Sequence, residues 1–146
     1  MPLKTKENIS LIGAGLSGPI MATYLSSLGF STDIYESRSD MRTNSTSAGR
    51  SINLALSARG IKALKDIGVY EKIKPTLIPM SGRMIHDGNG DVHFQPYGQK
   101  KNEVIYSVPR SNLNKTLMDY AESTNSVNFN FDHELQDIDL KKLKLC

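Results

Sequence analysis

Six residues near the amino terminus, Gly13-Ala14-Gly15-Leu16-Ser17-Gly18, set three glycines at G-x-G-x-x-G spacing. A loop of this kind does phosphate chemistry when it joins a strand to a helix. The first glycine allows the tight turn, the second lets a pyrophosphate approach the backbone, and the third lets helix and strand pack closely. The helix that follows offers N–H groups without intrahelical partners, and a partial positive charge, to an anion. Pro19 falls in that first turn, where its missing N–H breaks no helical bond but withdraws one phosphate donor. Glu36 follows at roughly the 20-residue offset where a carboxylate meets the hydroxyls of an adenosine ribose. A carboxylate there repels a 2′-phosphate, which favours FAD or NAD over NADP. Arg38 is the counter-signal, because an arginine near this point serves a 2′-phosphate; Glu36 weighs more because it ends the strand. Without a ligand, the same residues make a tight strand–helix turn.

That chemistry needs a strand before the loop, a helix after it and a second strand ending at Glu36. Ile9–Gly13 is a short apolar run bounded by glycine, as a buried strand requires. Leu16–Leu28 carries Ile20, Met21, Tyr24, Leu25 and Leu28 at helical spacing, with Gly29 as a stop. Thr32–Glu36 completes a βαβ unit, expected to be parallel and right-handed. Residues 37–50 are polar and predict a loop. Ser57 is placed to cap a helix through Ala58, Ile61, Leu64 and Ile67, ended by Gly68. Asp87-Gly88-Asn89-Gly90 between Arg83–His86 and Val92–Phe94 predicts a hairpin. Glu103–Val108 predicts a strand, and Ser111 a cap for a helix through Leu113, Leu117, Tyr120 and Ala121. Val127–Phe131 alternates apolar and polar, and a strand is expected to resume near Leu135–Leu140. The fold class is α/β, a Rossmann-like βαβ unit with an antiparallel hairpin excursion. Met80, Met84, Met118, Phe129 and Phe131 are expected in the core.

Composition removes several other functions. The 146 residues hold 18 Lys+Arg against 15 Asp+Glu, an excess too diffuse for a nucleic-acid stripe. Lys141, Lys142 and Lys144 suit a solvated strand face or frayed end. The single cysteine, Cys146, excludes an internal disulfide framework and a cysteine-rich zinc site. His86, His93 and His133 lack ligand spacing, so no metal is expected. No apolar run reaches membrane-spanning length, and residues 1–10 lack signal-peptide features. A soluble chain from a reducing compartment is expected.

Further stretches carry a resemblance. Gly49-Arg50-Ser51-Ile52-Asn53-Leu54-Ala55-Leu56-Ser57 with Arg59-Gly60 and Ala63-Leu64 is one. Ile78-Pro79-Met80 with Arg83-Met84-Ile85-His86, Pro96-Tyr97-Gly98, and Arg110-Ser111-Asn112-Leu113-Asn114-Lys115 are the others. Together they resemble the kynurenine 3-monooxygenase family of flavoprotein aromatic hydroxylases, from about Asn8 to about Leu135. The resemblance implies FAD as cofactor, NADPH as electron donor and ring hydroxylation of L-kynurenine to 3-hydroxykynurenine, in tryptophan catabolism and NAD biosynthesis. By position, Gly13, Gly15, Ser17 and Gly18 resemble the pyrophosphate loop. Tyr35, Glu36, Ser37 and Arg38 resemble the adenosine-binding stretch, and Ala55, Arg110 and Leu135 resemble further FAD contacts. Arg83 and Tyr97 resemble the pair that holds the substrate carboxylate, a role that a guanidinium fork and a phenol suit chemically. By residue type alone, Arg83 is a solvated strand end and Tyr97 a packing residue beside Pro96. No catalytic side chain is assigned, because the cofactor carries the hard step.

The resemblance reaches only the front of the family. The later acidic motif, the remaining sheet and the carboxy-terminal membrane anchor of eukaryotic members are not among these residues. The chain is therefore expected to be the amino-terminal part of an FAD-binding monooxygenase domain over 1–146, incomplete against the full fold and inactive alone. A stand-alone dinucleotide-binding module, an inert shortened product and another flavin-dependent aromatic hydroxylase are the alternatives. The family implies the mitochondrial outer membrane; these residues hold no targeting or anchoring segment, which leaves the cytoplasm open.

Overall fold

A computed structural model describes residues 8–43, 52–100, 103–139 and 144–145. Arg50, Lys141, Lys142 and Cys146, on which parts of the sequence reading rest, lie outside the described residues. In chain order the elements begin with β1 (Asn8–Ile12), α1 (Ser17–Ser27), β2 (Ser31–Tyr35), β3 (Asn53–Leu56) and α2 (Ala58–Asp66). After α3 (Tyr70–Ile73) and one 3-10 turn come β4 (Ile78–Met80), β5 (Gly82–His86), β6 (Val92–Pro96) and β7 (Ile105–Pro109). The chain continues through α4 (Arg110–Glu122), β8 (Val127–Asn130), β9 (Ile138–Asp139) and β10 (Lys144–Leu145). It divides into two compact units, one formed by 1–50 with 113–146 and the other by 51–112.

In the first unit, β2 is the central strand, parallel to β1 on one side and to β8 on the other. Thr32 and Ile34 alternate inward along it, and Ile34 joins Ala14, Ala22, Met118, Ala121 and Val127 in the core. Met118 is buried and Phe129 and Phe131 pack partly against this cluster, as expected for core residues. The apolar stripe expected of α1 is not its buried face. Pro19, Ala22 and Thr23 are buried, while Met21, Tyr24 and Leu28 are about half exposed. The cause lies at the joint: a Cβ on Gly18 would collide with the Gly13 carbonyl oxygen. Helix and sheet meet so closely there that only small side chains fit between them.

Arg42 ties the polar loop after β2 to the rest of this unit. Its guanidinium reaches Asp40 at 2.8 Å, Asp119 at 3.1 Å and Glu122 at 2.8 Å. It also lies over the stacked rings of Phe129 and Phe131, at 5.4 and 5.6 Å from their centroids.

In the second unit, β7 is central between antiparallel β3 and β4. Neither flank is evident from local pattern: β3 is four residues long, and β4 contains Pro79, which an edge strand tolerates. The β5–β6 hairpin forms at the expected turn, where the Asp87 carboxylate accepts the N–H groups of Asn89 and Asp91. Met84 sits opposite Phe94 on this ribbon and is 55% exposed rather than core. Ser111 lies inside α4 instead of capping it. β7 runs directly into the helix, which places Ser111 past the cap position, and the Arg110 N–H is taken by the Ile52 carbonyl at 3.0 Å. No helix among the described residues is long and apolar enough to cross a membrane.

Candidate functional site

The three loop glycines differ in what the fold demands of them. Gly13 has φ +96°, a left-handed conformation that a side chain resists, and its N–H bonds the Tyr35 carbonyl at 2.7 Å. Gly18 is required by the close approach of helix to strand. Gly15 has neither constraint: its φ is ordinary, and a Cβ would meet nothing within 4 Å. The absence of a side chain at 15 therefore serves no packing purpose and leaves open space against the backbone, as a pyrophosphate cradle requires. The start of α1 has no side-chain cap and no acidic residue in its first turn, so its leading N–H groups are left for an anion. Ser17, the first helical residue, is exposed at this end.

Glu36, 6% exposed, lies directly beneath the loop. Its Oε2 accepts the Ala14 N–H at 2.8 Å and Arg38 Nη2 at 3.1 Å. Its Oε1 accepts Arg38 Nε at 2.8 Å, the Arg38 backbone N–H at 3.0 Å and, weakly, the Ser37 hydroxyl at 3.4 Å. The Arg38 guanidinium bonds are the main reason its carboxyl is lowered to about 2, against the opposing effect of burial; the backbone N–H groups of Arg38 and Ala14 add to the lowering. Arg38 is thus spent on Glu36, which weakens the case for a 2′-phosphate site. Its side chain is 72% exposed and, among the described residues, held by this one partner, so yielding to a ribose diol costs on the order of 1 kcal/mol or less. The Glu36 backbone is fixed as well, its N–H on the Asn130 carbonyl and its carbonyl on the His133 N–H, both at 2.9 Å. Tyr35 touches the His133 ring edge-on.

A pH dependence follows from that lowered value. The folded carboxylate is lowered, so its stabilisation is complete above the unfolded value near 4.5 and is lost as pH falls towards about 2. Exposure of Arg38 screens the effect, leaving about 2 kcal/mol. Thermal melts from pH 6 to 2 should show this acid limb, shallower in Glu36→Gln; the part that survives belongs to groups such as Asp40, whose carboxyl is lowered by Arg42.

Sequence reasoning assigned no role to Asn114. It is buried on α4, donates from Nδ2 to the Ala14 carbonyl at 3.0 Å and touches Met41 Sδ at 3.3 Å. The signal was available: an amide stands in line with Met118 and Ala121 on the buried helical face. Leu135 lies in the same unit, half-buried beyond β8.

The second unit holds the remaining expected residues. Ala55 is exposed on β3 opposite Ser107, and Arg110 begins α4 at the end of the neighbouring strand. Arg83 pairs with Gln95 across the hairpin, and the Tyr97 N–H bonds the Ser81 carbonyl at 3.0 Å. Residues opposite one another, and those two apart, share a face of a ribbon. Arg83 and Gln95 therefore stand together, and Tyr97 follows just past the end of β6. Gln95 Oε1 accepts Arg83 Nε at 2.7 Å, which steadies the guanidinium and leaves its terminal nitrogens as a fork for a carboxylate.

Residues 6–142 match the family described as FAD binding domain. The chain is 40% identical over 139 residues to a kynurenine 3-monooxygenase of Legionella pneumophila, covering 95% of this chain and 31% of that protein. It is 47% identical over 134 residues to that of Cytophaga hutchinsonii, covering 90% and 29%. The kynurenine 3-monooxygenase of Anopheles gambiae is 42% identical over 133 residues, covering 91% and 27%. The chain thus spans about three-tenths of the length of the relatives it matches, and they come from bacteria as well as an insect. Among solved structures, the tetrameric form of 2-methyl-3-hydroxypyridine-5-carboxylic acid oxygenase superposes with TM-score 0.75 at 17% identity, covering 97% of this chain and 37% of that one. p-Nitrophenol 4-monooxygenase from Pseudomonas putida gives 0.72 at 16%, covering 94% and 34%. At such identities the likeness is one of fold.

Proposed function

This chain belongs to the FAD binding domain family, and on that premise we propose that it is the amino-terminal, cofactor-gripping part of a kynurenine 3-monooxygenase. The enzyme would use FAD and NADPH to hydroxylate L-kynurenine. The observation that carries the cofactor reading is Gly15, a glycine that neither φ nor packing demands, beside an uncapped helix and above a fixed carboxylate.

Bound FAD would supply the oxygen-activating redox chemistry. The chain's own residues bind and orient. The loop and the start of α1 hold the pyrophosphate through backbone N–H groups, and Glu36 takes the adenosine ribose as Arg38 swings aside. Ala55, Arg110 and Leu135 are further FAD contacts by position in the family. Arg83, steadied by Gln95, grips the substrate's amino-acid carboxylate together with Tyr97. L-Kynurenine fits this role because it carries both a carboxylate and an aromatic ring.

The test is an NMR titration of the 15N-labelled chain, which detects binding even at millimolar Kd. FAD is expected to shift the amides of Gly13 to Gly18 and Glu36 to Arg38, with ADP competing. No shift at millimolar FAD would overturn the cofactor reading. L-Kynurenine is expected to shift the β5–β6 amides. Arg83→Ala should weaken that response at least tenfold, as the loss of a charge-assisted fork implies, while the FAD response stays intact. Loss of the FAD response instead would refute the division of roles, and an unchanged kynurenine response would remove Arg83 from the site.

A further inference from the structure

The residue that aims the phosphate loop lies on a different element, α4. We infer that Asn114 is a positioning residue: by holding the Ala14 carbonyl, it sets the direction in which the Gly15 N–H points at the cofactor's pyrophosphate. The inference rests on the reading of the loop as a dinucleotide phosphate site.

Ala14 is fully buried and held on both sides. Its N–H is fixed by Glu36 Oε2 at 2.8 Å and its carbonyl by Asn114 Nδ2 at 3.0 Å. The Ala14 carbonyl and the Gly15 N–H belong to one peptide plane. No cis bond occurs among the described residues, so the two point in opposite directions. Drawing the carbonyl towards α4 therefore turns the Gly15 N–H away from α4, where it has no hydrogen-bond partner among the described residues. Glu36 fixes the preceding plane and Asn114 fixes this one.

Satisfying the buried Ala14 carbonyl is a structural gain, but the amide that does so brings a second polar atom into the interior. Asn114 is 7% exposed, and its Oδ1 is buried without a hydrogen-bond partner among the described residues. An apolar side chain of the same size would spare the Oδ1 penalty but leave the buried Ala14 carbonyl without a donor. Its Nδ2 is the donor the loop needs. Reversing the amide would set Oδ1 against the Ala14 carbonyl oxygen, so the hydrogen bond itself assigns the orientation.

Asn114→Leu and Asn114→Asp test this. Asn114→Leu leaves the buried Ala14 carbonyl without its donor, a loss of roughly 3–10 °C in Tm, and well below that melt it should bind FAD or ADP at least tenfold more weakly. In Asn114→Asp, the ionised carboxylate repels the Ala14 carbonyl, whereas the protonated acid can donate to it. A buried carboxyl titrates above its ordinary range, so nucleotide affinity in this variant should recover severalfold as pH falls from 8 to 5. The parent and Asn114→Leu should lack this recovery. The neighbouring charges, Glu36 and the Asp40–Arg42 pair, keep their charge over that range because both carboxyls are lowered.

A ligand-free readout separates this inference from the cofactor reading. The 15N–1H residual dipolar coupling of Gly15 should change in Asn114→Leu relative to the parent. An unchanged coupling overturns the positioning role whether or not FAD binds. Equal nucleotide affinity in Asn114→Leu and the parent overturns it too. If Asn114→Leu fails to fold, the Asn114→Asp pH profile decides, and a flat profile counts against the inference.

Discussion

Gly15→Ala and Gly18→Ala are expected to fail in opposite ways. Alanine at 18 drives its methyl into the Gly13 carbonyl, which is backbone and cannot rotate away. Helix and strand must then separate at the joint that also shapes the loop. Overpacking of this kind costs about 2–3 kcal/mol, a fall of roughly 5–10 °C in Tm for a chain of this size. Alanine at 15 meets nothing within 4 Å and needs no unusual φ, so the fold should keep its Tm within a degree or two. Its methyl instead occupies the space assigned to the pyrophosphate, and FAD affinity should drop at least tenfold. Thermal melts with flavin titrations distinguish the two. If Gly15→Ala bound FAD as tightly as the parent, the open space above that glycine would have no part in cofactor binding.

Glu36→Ala should produce the largest loss of affinity. Two hydrogen bonds from ribose hydroxyls to a charged acceptor, at about 1.5 kcal/mol or more each, correspond to roughly 100-fold in Kd. The substitution also leaves the N–H of buried Ala14 without its acceptor, at about 1–3 kcal/mol of stability. Glu36→Gln keeps the shape and one carbonyl oxygen, so it should lose less of both. Melting curves in saturating FAD against FAD-free curves show the two losses separately: the stabilisation by ligand should nearly vanish in Glu36→Ala. A ligand shift equal to the parent's would place the ribose elsewhere.

Much of the first unit was legible in the primary structure because its determinants are local. The strand, the glycine loop, the helix and the second strand lie within 29 consecutive positions from Asn8 to Glu36, and each glycine's role depends on its immediate neighbours. The hairpin was legible for the same reason, since Asp87-Gly88-Asn89-Gly90 carries its own turn chemistry. Less legible were β3 and β4, four and three residues long, which become strands only through pairing with β7. Periodicity also misplaced the buried face of α1. Hydrophobicity ranks Met21, Tyr24 and Leu28 above Ala22 and Thr23, but the narrow gap beside Gly18 selects for size.

The amino-acid order alone determined the residue types that could meet a dinucleotide, three spaced glycines and a strand-end glutamate, whereas the carboxylate role of Arg83 and Tyr97 is an implication of family resemblance. The glycines and the glutamate are matters of residue type and spacing, legible before any chain segment meets another. Only the tertiary structure decided how they are held. Glu36 is engaged by the Ala14 N–H across the β1–β2 pair, Arg83 is steadied by Gln95 from the facing strand, and Ala14 is gripped by Asn114 from a helix 100 residues further along. Hydrogen bonds need partners within about 3 Å, and for residues so far apart along the chain only folding brings them that close.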